Sequence, residues 1–155
     1  MRILSLAAPM AVALAAAALA ASPARAADPV EGDWMVDDSA RVHIGPCSDH
    51  ADRLCGVFAW MKDPNDDTGH LARDVHNPDP QLRSRTLLGM PFMREFHRVE
   101  PGRWERGKIY NPDNGKSYTS RMHYRDDGTL KVEGCLLVFC GGQVWRRAPA
   151  GAAAR

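Results

Sequence analysis

The chain has 155 residues, with 20 Lys and Arg against 19 Asp and Glu and a formal net charge of +1. With no basic stripe interleaved with aromatics, this balance gives a nucleic acid or an anionic membrane surface nothing to grip. Such a length is expected to form one domain large enough to bury a real core.

Arg2 opens the chain, and the run from Ile3 to Ala21 is apolar except for Ser5 and Pro9. Ala24-Arg25-Ala26 then supplies a small-x-small cleavage signal, so a signal peptide is expected over 1–26 and a single mature domain over 27–155. A membrane anchor is the competing reading. It is disfavoured because weakly hydrophobic Ala dominates the run, Pro9 interrupts it and no charged stop-transfer cluster follows. No cysteine sits at the cleavage point to carry a lipid, and no stable membrane span is expected after cleavage. Loss of Arg2 and Arg25 leaves 18 basic and 19 acidic residues, a net charge of −1. The expected location is periplasmic or secreted.

Cys47, Cys55, Cys135 and Cys140 all fall in the mature part. An even count in an exported chain reads as two disulfides. Three connectivities are open, and local pairing is favoured because each close pair can face across a short turn. A four-cysteine metal site fits poorly, since only the second pair has knuckle-like spacing. No metal and no cofactor is expected.

After a short leader at 27–31, apolar residues recur with period two between turn signals, the pattern of an all-β domain. Strands are expected at 32–36, 41–45, 54–61, 90–99, 104–110, 116–125, 129–135 and 142–147. The sixth is the clearest. Tyr118, Ser120, Met122 and Tyr124 point one way, while Thr119, Arg121, His123 and Arg125 point the other. Pro101-Gly102, the Asn-Pro-Asp-Asn-Gly run at 111–115 and Asp126-Asp127-Gly128 make the hairpin turns. No stretch of the mature chain carries a helical stripe. The expected fold is a single antiparallel barrel of about eight strands.

Residues 62–88 break this rhythm and form a long loop insertion, rich in Asp, Asn, Pro and Arg; such insertions are commonly lids or binding loops. Asp66, Asp67, Asp74, Asn77 and Asp79 lack the spacing of an EF-hand and read better as a solvated acidic loop than as a calcium site. Arg83 and Arg85 are candidates to clamp an anionic head bidentately, or else to pair with those aspartates and pin the loop to the barrel. The six histidines show no zinc-enzyme spacing. No nucleophile elbow is present, and cysteines held in disulfides offer no thiolate, so no catalytic residues are nominated. Leu136, Leu137, Val138 and Phe139 place four apolar residues at a hairpin tip, either folded into the core or offered to a partner.

Gly32-Asp33-Trp34 in the first strand and Trp145-Arg146-Arg147 in the last resemble the lipocalin and calycin superfamily. There a Gly-x-Trp tryptophan on the barrel floor is covered by a basic side chain of the last strand. The resemblance implies an eight-stranded up-and-down barrel around a cavity for small apolar ligands, with Trp34 as floor and Arg146 or Arg147 as cover. A second resemblance covers almost all of the mature chain. Leu54-Cys55-Gly56, Asn77-Pro78-Asp79-Pro80, Ile109-Tyr110-Asn111-Pro112 and Gly134-Cys135 are similar to a family of exported bacterial proteins catalogued as a domain of unknown function, which implies export and one domain but no activity.

These readings converge on a non-enzymatic periplasmic binding protein for a small amphipathic or apolar molecule. Its expected site is Trp60, Phe92 and Tyr118 against the apolar part, with Arg83 or Arg85 at the polar head. The alternative is an envelope protein-interaction module with a filled barrel, acting through 62–88 and 136–139.

Overall fold

The computed structural model describes residues 26–137 and 139–149. Apart from Ala26, the expected signal peptide lies outside the described residues, as does Val138 of the apolar tip.

Eight strands follow in chain order: β1 (Gly32–Val36), β2 (Ala40–Pro46), β3 (Arg53–Met61), β4 (Pro91–Glu100), β5 (Arg103–Asn111), β6 (Lys116–Tyr124), β7 (Leu130–Leu136) and β8 (Phe139–Arg147). Each pairs antiparallel with the next, and β1 also pairs with β8, closing the barrel. Closure leaves no unpaired edge, so the expected eight-stranded barrel is the fold that forms. Only β8 begins well before its expected start. Cys135 lies opposite Cys140 and Leu136 opposite Phe139, so pairing continues out through the apolar tip instead of stopping at Gly142.

Two disulfides staple this frame, Cys47–Cys55 across the β2–β3 turn and Cys135–Cys140 across the β7–β8 hairpin. The sequence-local connectivity is therefore the one adopted.

One half of the barrel is solid. Trp34, Val42, Ile44, Leu54, Met93, Phe96, Trp104, Met122 and Leu130 are buried in a single apolar cluster. At Gly107 a Cβ atom would come within 2.4 Å of the Phe96 ring, so only glycine lets that ring lie flat on β5.

The leader at 27–31 is part of this closure and not a loose tail. Val30 is fully buried. The Asp28 carboxylate is also buried, accepting hydrogen bonds from the Trp104 indole (3.1 Å), Arg98 Nε (3.2 Å) and the amides of Val30 and Gly102. A buried carboxylate so fully satisfied fixes the plug in register with the β4–β5 turn. The sequence pattern carried no sign of it.

The 62–88 loop is ordered by its own charges. Its short 3-10 turn, Pro80–Leu82, is capped by Asp79, which accepts from the Gln81 amide at 2.9 Å. Asp66 accepts from the amide and hydroxyl of Thr68 at 2.9 and 2.6 Å, and these bonds hold its carboxyl below the usual range. At Gly115, with φ +68°, a Cβ would meet the His76 carbonyl at 2.1 Å. Glycine there is what lets the loop lie directly on the β5–β6 turn.

Candidate functional site

The other half of the barrel is hollow. A cavity of about 550 Å³ opens between the β1–β2 turn, the end of β3, the β5–β6 turn and the β7–β8 hairpin. Its walls are Phe58, Phe92, Ile109, Tyr118, Val132 and Trp145, with Phe58 and Phe92 stacked at 3.9 Å between ring centres. Asp63, Asn111, Asp113 and Gln143 supply polar groups to its lining. No Lys or Arg does. An apolar interior with a few convergent polar groups is the usual constitution of a small-molecule site, and the volume is within the ordinary range.

Of the residues nominated from sequence, Phe92 and Tyr118 line this cavity together. Trp60, Arg83 and Arg85 do not. Trp60 is on the outer wall because β3 carries a bulge. Val42 faces Phe58 but Arg41 faces Trp60, so Ala59 is an extra residue and the side chains beyond it change sides. Trp60 therefore borders an outer pocket with Met35 and Arg41, while Met61 takes the inward place. A bulge of one residue inverts every later side chain, and nothing in the alternation of β3 announces it.

Arg83 and Arg85 serve the loop. Arg83 donates to the Asn77 carbonyl at 2.7 Å. Arg85 donates through Nε (3.0 Å) and Nη2 (2.7 Å) to Asp74, which is fully buried. The same carboxylate accepts from the Asn77 amide at 2.7 Å and from the Tyr110 hydroxyl at 2.5 Å. Burial pushes the Asp74 carboxyl up, but the bonds from Tyr110, Asn77 and Arg85 outweigh it and leave the group more acidic than usual. Burial and the adjoining Asp74 push the Tyr110 phenol to about 12. Tyr110 also lines the cavity, so this knot ties the loop to the rim. Arg85 thus follows the second option open to it, pairing with Asp74 and pinning the loop, while Arg83 braces the loop internally through the Asn77 carbonyl.

At the closed end the Arg147 guanidinium lies 3.9 Å from the centre of the Trp34 ring and donates to the carbonyls of Glu31 (2.8 Å) and Pro29 (2.5 Å). Trp34 is fully buried and its indole donates to the Val30 carbonyl at 2.8 Å. Arg146 points the other way, as its neighbour on a strand must, and pairs with Asp38 on the surface at 3.0 Å.

Several cavity residues escaped the sequence reading. Phe58 lay in the expected third strand, and Gln143 and Trp145 in the expected last strand, without a role. Asp63, Asn111 and Asp113 belong to a loop and a turn whose meeting depends on closure of the barrel.

A closed eight-stranded antiparallel barrel, sealed at one end by an arginine over a buried tryptophan and hollow at the other, is a lipocalin-type barrel. Comparison with solved structures agrees. The fold is similar to that of protein HP1028 from the human pathogen Helicobacter pylori, described as belonging to the lipocalin family, with a TM-score of 0.65, 20% sequence identity and coverage of 77% of this chain and 83% of that one. Residues 32–147 match the model of DUF2147, an uncharacterized protein family conserved in bacteria, and the chain belongs to that family. A search of curated proteins found no match.

Proposed function

We propose that this protein is an exported, non-enzymatic binding protein that holds a small apolar or amphipathic molecule in the open half of its barrel. The observation that carries the reading is the 550 Å³ cavity walled by Phe58, Phe92, Tyr118 and Trp145. The apolar part of the ligand lies on the stacked phenylalanines. Its head meets Asp63, Asn111, Asp113 and Gln143 and is neutral or cationic, because carboxylates, amides and the hydroxyls of Ser39 and Tyr118 await it and no Lys or Arg is among the described lining residues. Two disulfides support an oxidising compartment, and the periplasm is the location we assign. Among the described residues no helix is long and apolar enough to cross a membrane.

The test is native mass spectrometry of the protein isolated from its own envelope, together with titration of an apolar fluorescent dye. A retained small molecule and saturable dye uptake are expected. Val132→Trp, which puts an indole into the cavity, is expected to weaken the dye at least tenfold. An empty protein, or a variant that binds as the parent does, would overturn the reading.

A second reading is an envelope protein-interaction module. One observation favours it: Leu136, Leu137 and Phe139 are 65%, 91% and 79% exposed on a disulfide-closed hairpin. Apolar side chains this bare mark a contact surface. Replacing Leu137 and Phe139 by Ser is expected to abolish recovery of an envelope protein while the fold survives; unchanged recovery rejects the reading.

A further inference from the structure

The bulge that sends Trp60 outward also creates a second pocket, on the outer wall of the barrel beside the β1–β8 seam. It has a volume of about 400 Å³ and is bordered by Met35, Asp38, Arg41, Trp60, Arg146, Pro149 and Arg147, whose guanidinium is already held over Trp34. Arg41 is the anomaly in it. The residue is only 6% exposed, and its Nε has no hydrogen-bond partner. Among the described residues no carboxylate pairs with it. The one acid in the pocket, Asp38, is engaged by Arg146.

A guanidinium cannot shed its charge, and a buried Nε–H without an acceptor is costly unless an anion arrives to complete it. Its planar fork matches the oxygens of a carboxylate or phosphate. The flanking surfaces are Trp60, an indole, and Met35, a flexible apolar side chain, and these accept a flat or apolar body and not a bare ion. We propose that this pocket is a binding site for an oxyanion, carboxylate or phosphate monoester, carried on an aromatic or apolar body. The oxyanion pairs with Arg41 and the body lies against Trp60. The site is independent of the barrel cavity, on the opposite side of the sheet, and stands whether or not the cavity holds a ligand.

The experiment titrates the mature protein with phenyl phosphate, benzoate and benzyl alcohol. It follows the four tryptophan indole N–H signals by two-dimensional NMR, with Trp60 assigned from a Trp60→Leu variant. At least one aryl anion is expected to move the Trp60 signal saturably, while benzyl alcohol leaves it in place. Tighter binding of phenyl phosphate assigns the site to phosphate monoesters, and tighter binding of benzoate assigns it to carboxylates. Arg41→Met is expected to weaken the preferred anion at least tenfold, to melt at or above the parent temperature and to keep cavity dye uptake. Arg41→Lys, which keeps the charge and the fold but loses the fork, is expected to weaken it less. Absence of a saturable Trp60 shift with both anions, or unchanged affinity in both Arg41 variants, would overturn the proposal.

Discussion

Asp74→Ala is the most informative single change in the loop. The Asp74 carboxylate is fully buried and takes four hydrogen bonds, from Tyr110, Asn77 and two nitrogens of Arg85. Its loss leaves a phenol and an amide without an acceptor and a mostly buried guanidinium, 25% exposed, without its counter-charge. Breaking one partner of a buried ion pair costs about 3–5 kcal/mol, since the surviving charge is stranded. For a domain of this size that is a fall in melting temperature of about 10–20 °C. Urea denaturation with Asp74→Ala, Arg85→Met and the double variant measures it. The double variant should be less damaged than the sum of the two, because it strands no charge. A loss below about 1 kcal/mol in the Ala variant, or strict additivity, would refute the view that this pair pins the loop to the rim.

The same knot sets a pH signature. Asp74 titrates below its unfolded value, so its contribution is present above about pH 4 and disappears as pH falls through the folded value. Tyr110 is raised to about 12, so its contribution is whole below about pH 10 and drains away between 10 and 12. Urea midpoints across pH should fall at both ends, and Asp74→Asn should flatten the acid limb. Replacing Cys47 and Cys55 by Ser reopens a nine-residue loop in the unfolded chain and should cost roughly 2–3 kcal/mol by chain entropy, read from denaturant curves. Arg147→Ala removes a cation–π contact and two carbonyl caps at the closed end; a loss of about 2–4 kcal/mol is expected, with cavity dye binding retained. Ligand entry into the cavity should show a negative heat-capacity change by calorimetry at several temperatures.

Strand alternation and turn chemistry were enough to place all eight strands, because strands such as β2 and β6 alternate between buried and exposed faces and the central hairpins carry their own punctuation. The signature Trp34 and Arg147 also stood in plain view as local motifs. What the sequence hid were properties of position in three dimensions. Trp60 shares its parity with Phe58 and reads as an inward residue until the extra Ala59 is counted against β2. The arginines of the loop could answer a ligand or their own aspartates, and only the fold brings Asp74 and Arg85 to 2.7 Å. Asp28 looked like part of an idle leader because its donors, Arg98, Gly102 and Trp104, lie 70 to 76 residues away in sequence. Cavity and core are written in the same aromatic residues, so no pattern separates them before volumes are known.

The division of the barrel into a solid and a hollow half follows from energetic necessity. A dry void of 550 Å³ would cost about 13 kcal/mol at roughly 24 cal/mol per Å³, as much as the whole stability of an ordinary domain. The cavity therefore has to be filled, either by water from its open mouth or by a ligand. Water against Phe58, Phe92 and Trp145 gains few hydrogen bonds, so exchanging it for an apolar body is favourable. The packed half makes this exchange tolerable: Trp34, Phe96 and Trp104 with the Asp28 plug supply rigidity that does not depend on what the open half contains. Phe92, Val132 and Trp145 belong both to the buried cluster and to the cavity wall, whereas Trp34, Phe96 and Trp104 belong to the cluster alone, so a change in the cavity's contents meets the edge of the core and not its centre.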